Sequence, residues 1–299
     1  IRVVDSLMTL SFDYPRRSNF FKVQLEEFLL LSREEGFDVK TIKGSIAGAM
    51  GYGQFMPDSY RDYAVDFDGD NDKVSANGVA LTLNSSDNSS SLPLSVSAWV
   101  YPENGTKEQL VFGFYKNNAF ANGPSVWYGA ADLKFSYYDQ IPTADNSSST
   151  YAINNWHHVV LTIGSDRAGV LYVNGSSAAT FSGAFYSGGL DMFSIAVDYD
   201  SVTVDGEAVA GNPTQYFDGK IDEVAVWNDE LTSAEVTAIY NSGNMLNVSS
   251  DSGNYASAAN LQGYYRFNEG SGTSLQDNSS NSNTGTITGV TWTAGFVSK

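Results

Sequence analysis

The sequence predicts a mainly β protein, an antiparallel sandwich preceded by a short α-helical segment, and three observations predict it. Charge is divided unevenly: residues 1–63 hold 8 Lys/Arg and 9 Asp/Glu, while residues 64–299 hold 8 and 25. Composition shifts at the same place, from charge-dense sequence with long apolar runs to sequence rich in Ser, Asn, Gly and Thr and dotted with aromatics. From residue 67 onward, short apolar stretches recur between clusters of Gly, Asn, Asp and Ser, which is how a sandwich of short strands is written.

In the first part, residues 18–36 predict an amphipathic helix. Ser18 is placed as N-cap, Phe20, Phe21, Leu25, Phe28, Leu29 and Leu31 form the apolar face, and Gly36 suits a left-handed stop. Tyr14-Pro15 marks an extended approach to it. The sequence lacks an initiator Met and is expected to open inside a helix, as a fragment or processed product does. Residues 43–60 are Gly-rich; their small residues suit close approach of backbone to a ligand, with Tyr52 as a stacking face and Gln54 as a hydrogen-bonding arm.

In the second part, strands are expected at 94–101, 109–114, 133–138, 157–163, 169–173, 193–197, 220–227 and 261–267. Val173-Asn174-Gly175 predicts a tight hairpin turn. One further helix is expected, capped by Thr232 or Ser233, with Glu235 in its first turn and Val236, Ile239 and Tyr240 facing inwards. The domain division is therefore 1–63 helical and 64–299 β-sandwich. Residues 258–299 are either closing strands or the start of a second copy.

A formal charge of −18 argues against nucleic acid and anionic membrane surfaces as partners, because phosphate recognition relies on clustered Lys and Arg. Cys is absent, so no disulfide reports the compartment. No apolar run approaches the roughly 20 residues of a membrane span, and no membrane insertion is expected. The Asn-Ser-Ser triplets at 84, 88, 146 and 278 read as polar loops, or as glycosylation acceptors in a eukaryotic secretory protein.

Asp66, Asp68, Asp70 and Asp72 alternate, so on a regular strand their carboxylates share one face and repel. A hard cation relieves this; calcium takes six to eight oxygens, and Gly69 permits the bend that aims them. An EF-hand is excluded, since its sixth position is Asn71 instead of Gly and its twelfth Asn77 instead of Glu. His157 and His158 are the only histidines and lack the partners that zinc or nucleophilic chemistry needs. Adjacent on a strand, they point to opposite faces, one inside the sandwich and one at the surface.

Leu10-Ser11-Phe12-Asp13-Tyr14-Pro15-Arg16-Arg17, Phe28-Leu29-Leu30, the Gly48-to-Pro57 run and Tyr63-Ala64-Val65-Asp66-Phe67 resemble the membrane-bound lytic murein transglycosylase B family, over residues 1–68. The resemblance implies that Ser45 matches the residue orienting the catalytic Glu and Gln54 the glycan-contacting Gln. The family's catalytic Glu lies upstream of Ile1, and the rest of its catalytic domain has no counterpart after Asp68. Glu26, Glu27, Glu34 and Glu35 read as a solvated helix face, without the burial that raises a general acid's pKa. No catalytic residue is assigned, and no lytic activity is expected from this chain alone. The junction at 64–72 is either a natural gene fusion or an artificial join at a shared Asp-Phe-Asp-Gly-Asp, with the latter favoured.

The second part is similar to the laminin-G-like, concanavalin A-like lectin/glucanase superfamily. The likeness rests on Val65-Asp66-Phe67-Asp68-Gly69-Asp70-Asn71-Asp72-Lys73-Val74, Ser95-Val96-Ser97-Ala98-Trp99-Val100, Trp156-His157-His158-Val159-Val160, Leu171-Tyr172-Val173-Asn174-Gly175 and Phe217-Asp218-Gly219-Lys220-Ile221-Asp222-Glu223-Val224. It implies a jelly-roll sandwich and a structural calcium site in which Asp222 joins Asp68, Asp70 or Asp72. The superfamily's glucanases carry two Glu in a Glu-x-Asp-x-x-Glu run; Ile221-Asp222-Glu223-Val224 lacks the second, so binding is expected in place of hydrolysis. Trp127, Tyr128, Tyr137 and Tyr138 are the candidate glycan-stacking aromatics, about half of them core by alternation.

The expected function is a non-catalytic, calcium-stabilised module that binds carbohydrate, peptidoglycan or another cell-surface ligand, in the cell envelope, outside the cell or on a virion. Two alternatives stand beside it: a peptidoglycan lytic transglycosylase that uses the sandwich for targeting, and a structural adhesin or virion module without a sugar ligand.

Overall fold

A computed structural model describes residues 1–34, 38–49, 63–79, 92–115, 122–129, 132–138, 145–182, 192–198, 202–204, 207–209 and 215–294. The chain forms two compact units, one of residues 1–63 with 294–299 and one of residues 64–293.

In the first unit, α1 (Val3–Asp13) and α2 (Ser18–Glu34) pack as a pair. The chain does not open inside a helix. Arg2 is extended and bridges to Lys43, and Val3 N–H donates to Ile42 O at 3.1 Å. Nor does Ser18 cap α2. A 3-10 turn at Pro15–Arg17 runs directly into it, Ser18 already has helical torsions (φ −52°, ψ −45°), and its hydroxyl donates to Ser11 O at 2.6 Å. Val3, Leu7, Phe21 and Phe28 form the small core. Gly36 lies outside the described residues. Gly44 and Gly48 serve packing: a Cβ on Gly48, whose φ is +88°, would stand 2.2 Å from Leu7 Cδ2.

The second unit is built from β1 (Tyr63–Asp68), β2 (Lys73–Ser75), β3 (Leu94–Pro102), β4 (Gln109–Tyr115), β5 (Asn122–Gly129), β6 (Lys134–Tyr138), β7 (Asp145–Asn146), β8 (His157–Ile163) and β9 (Ala168–Val173). It continues with β10 (Ser176–Ser182), β11 (Met192–Ile195), β12 (Val202–Val204), β13 (Glu207–Val209), β14 (Asp218–Trp227), α3 (Ser233–Tyr240), β15 (Leu261–Tyr265), β16 (Ser274–Leu275), β17 (Gly285–Thr288) and β18 (Thr291–Ala294). The first sheet runs β10-β9-β8-β3-β14-β1-β18, with β15 also on β14; the second runs β16-β17-β2-β11-β4-β5-β6-β7. The strand pairs within these two sheets are antiparallel, and β12 and β13 form a separate hairpin.

Alternation sorts the side chains. Val96, Ala98 and Val100 of β3, Val159 and Leu161 of β8, Val126 and Tyr128 of β5, and Phe135 and Tyr137 of β6 meet between the sheets in one core. The eight expected strands are present, with shifted ends that have local causes. Ala196 (φ 69°) and Phe267 (φ 54°) adopt left-handed backbone beyond β11 and β15, short of the expected ends at 197 and 267. β5 contains Gly123-Pro124, which obscures it as a strand. Asn174 (φ 52°) and Gly175 (φ 75°) give the hairpin turn its two positive torsions.

The last strands belong to the same two sheets. β15 pairs with the second half of β14 (Val224 opposite Tyr265), and β17 pairs with β2 (Ile287 opposite Val74).

α3 carries a capping box: Thr232 Oγ1 accepts from Glu235 N–H, and Glu235 Oε2 accepts from Thr232 N–H at 2.9 Å. Burial alone would raise the Glu235 pKa, but hydrogen bonds from Thr232, Ser257 and Ala256 outweigh it and hold it low. Val236 and Ile239 pack with Val160, Tyr172, Ala225, Trp227 and Tyr264 on the outer face of the first sheet. The helix, Leu231, Val248 and Tyr255 thus cover the part of that face around Trp227, while Tyr101 and Lys220 further along it stay partly exposed. Tyr240 is only half-buried, its ring stacked 5.9 Å from Trp99.

Candidate functional site

With much of one outer face covered, the candidate site is taken on the other. β4, β5, β6 and β11 place Leu110, Tyr115, Trp127, Tyr138 and Met192 there as a second apolar cluster, away from the inter-sheet core. Register sets the neighbours: Trp127 lies opposite Leu110 and Ser136, and Ser125 opposite Gly113 and Tyr138. The Trp127 and Tyr138 rings meet edge to face at 5.8 Å. Trp127 Nε1 donates to Ser125 Oγ at 2.9 Å, and Ser125 Oγ donates to Tyr138 O at 3.2 Å. Ser136 Oγ donates to Asn146 Oδ1 at 2.6 Å one strand further on.

Trp127 is buried, whereas Tyr138 is half-exposed. Burial raises the Tyr138 pKa, and the charge and hydrogen bonding of Glu108 raise it further, so the phenol stays protonated and donates. Leu110, Tyr115, Ser125, Trp127 and Ser136 are buried, so the groups open to a ligand here are the half-exposed Tyr138 ring and the exposed Asn146 amide; a sugar ring offers C–H faces for the one and hydroxyls for the other.

The candidate aromatics divide between the two faces. Tyr128 and Tyr137 are in the inter-sheet core: Tyr128 Oη donates to Tyr151 O at 2.6 Å, and Tyr137 stacks on Phe181 at 3.7 Å. Neither is placed to meet a ligand. Tyr115, Leu110, Met192, Ser125, Ser136 and Asn146 were missed from the sequence. The alternation of Ser125, Val126, Trp127 and Tyr128 is the signal that would have found Ser125.

In the helical unit, Ser45 Oγ accepts the N–H groups of Ala47 (3.2 Å) and Ala49 (3.1 Å), closing its own turn. Tyr52 and Gln54 lie outside the described residues.

The four metal candidates are not brought together. Asp68 lies opposite Asp218 in the β1–β14 register, while Asp222 sits four residues further along β14, fully buried and opposite Trp99. Asp68 N–H donates to Asp72 Oδ2 and Asp70 N–H to Asp68 Oδ1, both at 3.0 Å, so the carboxylates fold the turn upon itself. Burial pushes the Asp72 carboxyl pKa up. Lys107 Nζ donates to Gly69 O at 2.8 Å, and a Cβ on Gly69 would stand 2.8 Å from both Lys107 Nζ and Asp218 Cβ. An ammonium therefore lies within the acidic turn. Among the described residues no group of three or more His, Asp or Glu is placed to hold a metal ion, and these residues do not fit the expected calcium set.

The two histidines do face opposite sides, but neither is at the surface. His157 lies beside Phe135 and Tyr151, its Nε2 hydrogen-bonded to Ala152 O at 2.9 Å. His158 is on the helix-covered part of the outer face, with Nε2 2.8 Å from Ser97 Oγ and its ring beside those of both Trp99 and Tyr240. Burial lowers its pKa to about 3, so it is neutral. Trp99 stands between it and Asp222 in the register, which separates the members of any Ser-His-Asp relay.

A two-sheet jelly-roll sandwich, helix-covered over part of one outer face and with an aromatic cluster on the other, is of the lectin-like class of β proteins. The chain belongs to the concanavalin A-like lectin/glucanases superfamily, whose family model matches residues 68–237. Residues 1–85 match the transglycosylase SLT domain. Membrane-bound lytic murein transglycosylase B of Escherichia coli (strain K12) is 62% identical over 69 residues, which are 23% of this chain and 19% of that protein. The chain thus spans about a fifth of the length of the curated relative it matches. A soluble lytic transglycosylase from Pseudomonas aeruginosa is also 62% identical, covering 23% of each chain, with a TM-score of 0.21. A putative carbohydrate binding protein from Bacteroides ovatus superposes with a TM-score of 0.50 at 18% identity, covering 79% of this chain and 60% of that one. No helix among the described residues is long and apolar enough to cross a membrane.

Proposed function

We propose that this chain is a non-catalytic glycan-binding module that holds its ligand on the outer face of the second sheet, around Trp127 and Tyr138. The observation that carries the reading is the edge-to-face Trp127–Tyr138 pair with Ser125 hydrogen-bonded to both strands. Superfamily membership supports it. The formal charge of −18 and the carboxylate of Glu108 beside Tyr138 favour a neutral polysaccharide over an acidic one. The reading needs no metal, because Lys107 occupies the acidic turn. It places the chain's work in the cell envelope or outside the cell.

The 62% identity of the N-terminal residues to a murein transglycosylase favours a second reading, in which peptidoglycan is the partner. A glycan array that includes murein fragments, run in calcium and again in EDTA, separates the two. The first reading expects binding to neutral glycans, equal in both buffers and weakened roughly 5- to 10-fold in Tyr138→Ala. Murein binding alone would favour the second, and no binding in either buffer would leave a structural adhesin or virion module.

A further inference from the structure

The outer face of the first sheet carries chemistry beyond the ground that α3 covers. Residues directly opposite each other in a register share a face, so Asp66 of β1, Lys220 of β14 and Tyr101 of β3 stand in one row across three strands. Val100 and His157 form the last pair of the β3–β8 ladder. One residue further, Tyr101 and Trp156 bring their ring centroids to 5.5 Å at an interplanar angle of 57°. Lys220 Nζ lies 5.2 Å from the Tyr101 ring centroid and 3.6 Å from Glu103 Oε1. Asp66, Tyr101, Trp156 and Lys220 are half-buried and Glu103 is exposed, whereas Trp99, Asp222 and His158 in the next row of the same face are buried.

We infer that this row is a second ligand site, and that it takes a sugar carrying a protonated amine, such as a glucosamine unit. The partly exposed Trp156 and Tyr101 rings offer the stacking surface that the C–H face of a sugar meets, and aromatic faces also attract cations. Charge selects the amine. Two carboxylates, Asp66 and Glu103, flank one ammonium, and Lys220 is already held by Glu103, so an anionic sugar is repelled. The Asp66 pKa is raised by burial first and then by the charge of Glu103, with Asp218 and Asp72 adding to it and Lys220 opposing. The row therefore keeps a negative potential after Lys220 is counted, and the chain's net charge of −18 draws cations towards it. The site lies on the other sheet from Trp127 and Tyr138 and does not depend on the reading of that face.

The full chain is titrated by calorimetry with a short glucosamine oligomer in slightly acid buffer, and with the N-acetylated oligomer of the same length. The expected result is saturable binding of the amine form, weakened about fivefold or more by Trp156→Ala and by Glu103→Gln, and unchanged by Tyr138→Ala. Glu103 is exposed, so Glu103→Gln keeps the wild-type melting temperature even if Trp156→Ala does not. Lys220→Met removes the competing ammonium and should bind the amine more tightly, an effect that a structural role for Lys220 would not produce. No binding of the amine form, or equal binding of the acetylated one, overturns the proposal. Binding lost in Tyr138→Ala overturns it too, by moving the ligand to the other sheet, as does a Lys220→Met variant that binds no more tightly than wild type.

Discussion

Tyr264 on β15 donates its hydroxyl proton to Glu223 Oε2 at the point where β14 exchanges one neighbour for another. β1 pairs β14 up to Ile221 and β15 pairs it from Val224, and between them Glu223 takes a left-handed φ of 49° at a bulge. Arg266 Nε holds the other carboxylate oxygen at 3.0 Å. Burial pushes the Glu223 pKa up, and Arg266 and Tyr264 pull it back. Burial and the Glu223 charge drive the Tyr264 pKa well above that of a free phenol. The three residues thus tie two successive strand pairings of β14 together.

Tyr264→Phe removes a hydrogen bond to a charged group and is expected to cost about 1.5–3 kcal/mol. Arg266→Met leaves Glu223 buried without its counter-charge. The full penalty of about 3–5 kcal/mol for breaking a buried pair is reduced here to about 1–3, because the Arg266 side chain is 31% exposed. In urea unfolding the double variant should fall short of the sum of the two singles. Strict additivity would show that the residues do not act as one network.

Stability should also fall on acidification because of His158. Its pKa is about 3 in the folded chain against 6.5 when unfolded, so between those values the unfolded state binds a proton that the folded state does not. The contribution is fully present above pH 6.5 and declines below it, by up to about 1.4 kcal/mol per pH unit, until it levels near pH 3. Other carboxylates titrate in the same range, so the comparison that isolates His158 is wild type against His158→Gln, which retains a partner for Ser97. The variant should show the shallower loss of unfolding free energy between pH 6.5 and 4. Parallel curves would mean that His158 gains its proton without unfolding.

These two networks mark the limit of what sequence alone conveys. The strands of β3, β8 and β14 are legible because their inward residues are unbroken Val, Ala, Leu and Ile, and α3 because Thr232 and Glu235 sit at capping-box spacing. Alternation also tells that Tyr137 and Tyr138 part company, although not which of the two faces outward. The position of Asp222 could not be read, because it depends on a register between strands some 150 residues apart in the chain. Lys107 was invisible for the same reason: nothing local links it to Gly69, 38 residues away.

Lys107 brings a positive charge to the acidic turn, where its Nζ donates to Gly69 O. A calcium ion held about 100-fold above its dissociation constant would stabilise the fold by about 2.7 kcal/mol, a shift of several degrees for a domain of this size. The expectation here is a melting temperature unchanged by EDTA. Lys107→Met should lower it, at a cost of about 0.5–1.5 kcal/mol for the lost hydrogen bond, and added salt should recover part of that by screening Asp68, Asp70 and Asp218. A wild-type chain that loses several degrees in EDTA would refute this account of the turn.

Tyr137 and Tyr138 give the sharpest test of the binding face, since one chemical change at adjacent positions should produce opposite results. Tyr137 is 4% exposed, in the inter-sheet core and stacked on Phe181, so Tyr137→Ala opens a cavity and is expected to cost about 3–5 kcal/mol of stability. Tyr138 is half-exposed beside Trp127, so Tyr138→Ala should cost about 1 kcal/mol of stability while removing an aromatic contact from the ligand. Loss of one stacking partner worth about 1–1.5 kcal/mol weakens sugar binding roughly 5- to 10-fold. The two quantities are read separately, stability by urea titration and affinity by calorimetry with the array's best glycan. If Tyr138→Ala binds as tightly as wild type, the ligand does not use this face.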